Sequence, residues 1–399
     1  MRALTRLFRA LLHRPGTTVM ILLVSLVASA AAATAPTYYE SARTSILRDS
    51  LDAAPTIEQG LEITRQGVAS GSLDPLISAY QFALSQGMPD AQMRARTFLP
   101  PVYAVEASAF FAAKSQNLPL TWRTDICAHL KIVQGSCAAS VNQVTISSSL
   151  AKQDGWHVGQ QLTPPGWPAL SIVGIYEVPD FSQLYWFGRG NTYFPSEDRT
   201  AGAAAVDPNT VGDAMFTVRE TVDSNTAVSQ GTVVIDQAIN RSTVQAGDLD
   251  ALASAIRYLG ASPGLTLLTA AVESSVPTLV DEIHASWRSL AVTEFLIGAQ
   301  LLVLVWLLMF LVVKDAIEAR AADIALVKLR GYKGLRLIAF GLAEPASLLL
   351  IALPFGVLVG WAVSAGLSHA QLRAGMPVEL PGLAWAAAAV ATVGGLAAV

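Results

Sequence analysis

Few residues of this chain have types and spacings suited to chemistry. Cys127 and Cys137 stand ten residues apart, a spacing that suits a small disulfide loop in an oxidising compartment. Two free buried thiols are the other reading. No Cys-x-x-Cys or paired histidine accompanies them, so a metal site is not expected. His129, His157 and His284 are scattered and read as ordinary surface or half-buried residues. There is no Gly-x-Ser-x-Gly elbow and no His-Glu-x-x-His helix, so no catalytic residue and no cofactor are expected. An aromatic run follows Pro179: Phe181, Tyr185, Trp186 and Phe187. It reads either as core packing or as an exposed patch that meets a substrate or partner.

The charged residues are placed unevenly. The first residues carry Arg2, Arg6, Arg9 and Arg14 without an acid. The segment 314–336 carries Lys314, Arg320, Lys328, Arg330, Lys333 and Arg336 against Asp315, Glu318 and Asp323. The long stretch between, 36–288, has more acids than bases. Basic residues beside membrane helices stay in the cytoplasm, which places both basic segments inside and the middle region outside. They form no extended basic face, which argues against a nucleic-acid partner.

The elements that position these groups follow from composition. Hydrophobic residues make up 52% of the 399 and charged residues 14%, well below the ordinary share of about 25%. The apolar excess lies in 17–35, 290–313, 337–366 and 382–399. Residues 17–35 are uncharged and span about 28 Å as a helix, close to the hydrocarbon thickness. A cleaved signal peptide is the rival, but its apolar core is usually only about 7–15 residues. Residues 290–313 form the clearest span, closed by Lys314. Leu279, Ile283, Trp287 and Leu290 extend it outward as an amphipathic stalk, with Tyr39, Ala42 and Ile46 as partner positions. The run 337–366 is too long for one straight crossing, so a break is expected at Glu344-Pro345. A carboxylate costs about 2.5–3.5 kcal/mol at mid-membrane, so Glu344 is expected at the interface or facing another helix. No second ionisable group accompanies it as a proton relay would require. Gly356 and Gly360 are small enough to let helices approach closely.

The resulting expectation is a helical bundle of four spans with a large mixed α/β domain between the first two. Residues 1–16 are cytoplasmic, 17–35 the first span, and 36–288 an extracytoplasmic domain with stalk helices. Residues 289–313 are the second span, 314–343 a cytoplasmic segment, 344–366 the third, 367–381 an external loop and 382–399 a fourth, possibly truncated. Within the external domain, 37–130 reads as mostly helical. Strands are expected at 141–146, 170–178 and 231–236, a short helix at 149–154, and a helix carrying Leu249, Leu252, Ile256 and Leu259.

The segment after the second span carries a motif. It runs Glu318, then Asp323-Ile324-Ala325-Leu326, then Lys328, Arg330, Gly331 and Lys333. By itself it is a short basic amphipathic helix ended by Gly331, which could rest on anionic lipid. It also resembles the cytoplasmic segment of FtsX-like ABC transporter permeases of the MacB-like topology, actinobacterial members included. There an acid, Ile-Ala-Leu, a basic residue and Gly precede a Glu at the head of a long apolar helix, as Glu344, Gly356 and Gly360 do here. Val158-Gly159 and Val173-Gly174-Ile175-Tyr176 are similar to the external domains of that family. The resemblance implies a non-catalytic bacterial inner-membrane subunit with a cytoplasmic N-terminus. A separate ABC ATPase would dock on Glu318, Asp323, Lys328, Arg330, Gly331 and Lys333, and ATP-driven motion would do mechanical or export work outside. It implies a homodimer or a second permease half as partner in the bilayer. The chain has no Gly-x-x-x-x-Gly-Lys-[Ser/Thr] loop of its own. A membrane sensor with an external ligand domain is the alternative, though it predicts a signalling domain after the second span. A membrane-anchored hydrolase lacks a nucleophile constellation.

Overall fold

The computed structural model describes residues 15–68, 72–112, 116–180, 182–195, 212–225, 231–318, 321, 335–372 and 380–397. The chain divides into two compact units, one of Met1–Asp49 with Ile283–Val399 and one of Ser50–Glu282.

Three helices of the first unit are long and apolar enough to cross a membrane, with mean hydropathies of 2.1, 2.8 and 2.2 over their best windows. They lie in the helices Pro15–Ala53, Val276–Glu318 and Leu335–Gln371. A shorter apolar helix, Gly382–Ala397, follows. The break expected at Glu344-Pro345 does not occur, since one helix runs from Leu335 through Gln371. An interior proline removes a backbone donor and crowds the carbonyl four residues back, a cost that membrane-type helices tolerate where neighbouring groups satisfy the freed backbone. Pro36 likewise lies inside the first helix, whose hydroxyls bond back on either side of it. Thr34 donates to the Ala30 carbonyl and Thr37 to that of Ala33, each at 2.8 Å.

The second unit is a mixed α/β body built on one sheet of ten strands. They are β1 Gly60–Val68, β2 Val102–Phe111, β3 Gln116–Arg123, β4 Lys131–Gly135 and β5 Gln143–Ser147. The others are β6 Gln161–Leu162, β7 Leu170–Glu177, β8 Met215–Phe216, β9 Gly231–Ala238 and β10 Ala271–Glu273. The order is β10-β1-β9-β2-β3-β8-β5-β7-β4, with β6 paired to β7. Strands expected near 141–146, 170–178 and 231–236 are β5, β7 and β9, and the short helix is Ser148–Asp154. The expectation that 37–130 is mostly helical holds in part: Pro15–Ala53, Leu73–Gly87 and Ala91–Thr97 supply helix there, but β1, β2 and β3 lie there too. These strands are polar or alanine-rich and look helical in isolation. Their partners are distant: β1 lies between β9 and β10, and β2 between β9 and β3.

Alternation along the strands sorts the sheet into two faces. On one face Leu61, Ile63, Val105, Val233 and Ile235 are sealed from solvent. Helices Leu73–Gly87 and Leu249–Gly260 bring Leu76, Leu84, Leu252, Ile256 and Leu259 into the same core. Gly87 lets these two helices close up, since a Cβ there would lie 3.2 Å from the Ala255 backbone. A second core joins Phe111, Leu118, Leu120, Val144, Ile146 and Ile172 at the other end of the sheet. A third gathers Tyr176, Trp186, Tyr193, Phe194 and Phe216.

Candidate functional site

The residues expected to grip an ATPase lie largely outside the described residues: Asp323, Lys328, Arg330, Gly331 and Lys333 are among those left out, as is the side chain of Glu344. Glu318 is described. It lies in the long helix and pairs with Lys314 at 3.8 Å, both side chains exposed, a pair that adds little to stability.

Gly356 and Gly360 sit where two apolar helices touch. A Cβ on Gly356 would lie 2.1 Å from Ser29 Oγ and 2.9 Å from the Leu26 carbonyl oxygen. One on Gly360 would lie 2.6 Å from the Ala30 carbonyl oxygen and 3.0 Å from Ala33 Cβ. Glycine against Ser29, Ala30 and Ala33 thus brings two backbones into contact, the small-residue packing that holds helices together in an apolar solvent. Nearer the second unit's end of the long helix, Trp287 donates its indole N–H to the Arg43 carbonyl at 3.2 Å, and the Arg43 guanidinium lies 4.2 Å over the Trp287 ring. Such an aromatic and cationic group suits a membrane–water boundary.

Cys127 and Cys137 are joined by a disulfide that closes a loop beside the third core. Cys127 lies in the one-turn helix Ile126–His129. From that turn the His129 ring stacks on Tyr185, centroids 3.5 Å apart and planes 9° apart. Burial, with the nearby Arg123 charge, lowers the His129 pKa despite a bond to Gln183. The aromatic run belongs to the core: Trp186 and Phe187 are buried, Tyr185 is half-buried, and Phe181 falls outside the described residues.

The most concentrated chemistry is a buried ion cluster that local sequence reading passed over. β1 presents Glu62, β9 Asp236, β2 Glu106 and β3 Arg123. Register aligns them, since Glu62 and Val102 each stand opposite Asp236, and Arg123 stands opposite Ala104. The segment 184–194 crosses this polar face and contributes Tyr185, Arg189 and Tyr193. Arg123 Nη1 meets Asp236 Oδ2 at 2.8 Å, and Nη2 donates to the Tyr185 carbonyl at 2.5 Å. Arg189 reaches three carboxylates: Glu62 at 2.9 Å, Asp236 at 3.2 Å and Glu106 at 3.4 Å. The Tyr193 hydroxyl donates to Glu106 at 2.6 Å.

Electrostatics match this geometry. Burial works against the Arg123 charge, and Tyr193, Asp236 and Tyr185 around it more than restore it. Arg189 is likewise held protonated by Asp236, Tyr193, Glu106 and Glu62 against its burial. Glu62 is pushed up by burial, which outweighs Arg189. Every charge here has a partner on another strand or on the crossing segment, so the cluster fixes that segment onto the sheet. Among the described residues, no group of three or more His, Cys, Asp or Glu is placed to hold a metal ion. No known protein family matches the chain, and no curated protein matches it either.

Proposed function

We propose that this chain is the membrane subunit of an ABC-type machine, an FtsX-like permease of MacB-like topology. A separate cytoplasmic ATPase drives it to do conformational work in its α/β domain. The observation that carries the reading is the order of parts. The α/β body 50–282 is inserted between the first and second long apolar helices, and the basic motif 318–333 stands between the second and third. The helices cross the bacterial cell membrane with the N-terminus inside, and Gly382–Ala397 makes a fourth crossing.

The mechanism follows from helix mechanics. The helix Val276–Glu318 is unbroken over 43 residues, a rod of about 65 Å. Displacing its basic end when an ATPase closes displaces its far end too. Within the α/β body, β10 leads into this rod and pairs with β1 at Glu62–Glu273, and Glu62 is itself a member of the ion cluster. Motion of the rod therefore has a direct covalent route to the sheet. The chain's own residues supply docking and transmission, and nucleotide chemistry belongs to the partner.

Affinity purification of the full chain in detergent tests this. A cytoplasmic ATPase bearing a phosphate-binding loop is expected to co-purify, and Lys328→Glu with Arg330→Glu is expected to release it. An intact complex in that double variant would rule out the docking assignment, and labelling that placed 323–331 outside the cell would end the whole reading.

A further inference from the structure

We propose that Glu62 and Glu273 form an acid-operated latch at the root of the Val276–Glu318 rod: a proton on Glu62 clips β10 to the sheet, and its loss loosens the strand. The latch lies wholly within the α/β body and does not rest on the ATPase. That it responds to the medium outside the cell rests on the topology proposed above.

β10 is three residues long and stands at the end of the sheet, with β1 as its neighbour. Its register sets Ala271 against Thr64, Val272 against Ile63 and Glu273 against Glu62. Residues directly opposite on adjacent strands share a face, with Cβ atoms about 4.5–5.5 Å apart. Two carboxylates therefore stand side by side at the last pair before the rod begins at Val276. Like charges so placed weaken a strand pair, and β10 has few other pairs to offset them. Just beyond, the Ser274 hydroxyl donates to the Gly60 carbonyl at 2.6 Å and accepts the Val276 N–H at 3.2 Å. One serine thus ties the strand's end to the helix's start, right beside the paired glutamates.

Glu62 is the group placed to take the proton. It faces Asp236 from β9, Glu106 from β2, Glu273 from β10 and Arg189 from the crossing segment. Arg189 lies 2.9 Å away and is not stranded if Glu62 is neutralised, because Asp236 and Glu106 hold the same guanidinium. Asp236 also serves Arg123, and Glu106 also accepts from Tyr193, so neither is as free to change. The helix Leu249–Gly260 packs on the other face of the sheet, where its Arg257 pairs with Asp281 at 3.8 Å. Burial first, and then the surrounding acids, raise the Glu62 pKa against the pull of Arg189. The native state therefore takes up the proton more readily than the unfolded chain, and the attachment is tightest in acid. A protonated Glu62 becomes a donor to the facing Glu273 carboxylate, so repulsion gives way to a charge-assisted hydrogen bond. A metal ion in the proton's place would need a fuller set of ligands, and among the described residues no group of three or more His, Cys, Asp or Glu is placed to hold one.

Hydrogen exchange of the full chain in detergent tests the latch. The amides of β10 and Val276 are read against those of β9, after correction for intrinsic rates. Relative protection of β10 is expected to be about two- to ten-fold higher at about pH 5 than at about pH 7.5. Glu62→Gln, a mimic of the protonated carboxyl, is expected to hold the higher value at both. Glu273→Gln is expected to shrink the pH dependence, and its exposed position makes it the safer variant should Glu62→Gln fail to fold. Equal protection at the two pH values in the native chain would overturn the latch. So would an undiminished pH dependence in Glu273→Gln, which would assign the titration to the ion cluster and not to the strand pair. Neither outcome touches the topology or the docking of an ATPase, because the purified chain is measured alone.

Discussion

Arg123 and Asp236 meet at 2.8 Å with side chains only 0% and 2% exposed, one from β3 and one from β9, with β2 between them. Asp236 also accepts from Arg189, so a single carboxylate serves two buried guanidinium groups. Removing one partner of a buried pair strands a charge, whereas replacing the pair with apolar groups does not.

Asp236→Ala is accordingly expected to cost about 3–5 kcal/mol, because it leaves Arg123 without its carboxylate. The double variant Arg123→Met with Asp236→Leu is expected to cost much less than the sum of its single changes. Denaturant unfolding in detergent, followed by tryptophan fluorescence, measures both. Additive losses would show that the two residues are not coupled.

Arg96 grips Asp248 with two bonds, Nε at 2.9 Å and Nη2 at 2.5 Å, and the Gln245 N–H adds a third at 3.1 Å. These bonds, the Arg96 one first, hold the Asp248 carboxyl below its usual range despite partial burial. The lowered value means the native state favours the ionised form. Its stabilisation is complete above the ordinary aspartate value of about 3.9 and is lost as pH falls through the lower folded value. Asp248→Asn is expected to cost about 1–2 kcal/mol near neutrality, discounted because Arg96 is partly exposed, and to flatten the acid limb of the stability curve.

Glu62 has the opposite sign. Burial raises its pKa, so its contribution is greatest below the ordinary glutamate range and is lost as pH rises through the folded value. Glu62→Gln is expected to remove that part of the slope in unfolding measured between weakly acidic and neutral pH. An unchanged slope would place the titration elsewhere.

Gly356 and Gly366 share one helix but differ in surroundings. A Cβ on Gly356 would strike Ser29, while Gly366 has nothing within 4 Å. Gly356→Ala is expected to destabilise the helix packing by about 1–3 kcal/mol, and Gly366→Ala to be near neutral. Melting temperatures in detergent compare them, and equal values would contradict the close approach at Gly356.

The Cys127–Cys137 loop is short, so chain-entropy reasoning assigns it about 2–3 kcal/mol. Cys127→Ser with Cys137→Ser is expected to lower stability by that amount. Reductant should then shift the native protein and not the variant. If reductant leaves the native protein's unfolding unchanged, the loop is not a structural brace.

Length and apolar content alone determined the long membrane-type helices, because an apolar run in helix is a local property of about twenty residues. Alternation marked β5, short β-branched apolar runs marked β7 and β9, and spacing suited Cys127 to Cys137. The strands β1, β2 and β3 were not legible. The apolar positions of β1 are few, Leu61 and Ile63 among them, and Ala104, Ala107 and Ala109 of β2 favour helix by propensity. Only pairing decided them, with Glu62 set against Asp236 from 174 positions further along the chain. The ion cluster was hidden for the same reason. Each of Glu62, Glu106, Arg123, Arg189 and Asp236 reads as a surface charge by itself. They become a buried unit only when strand register brings them to one face and the 184–194 segment closes over it.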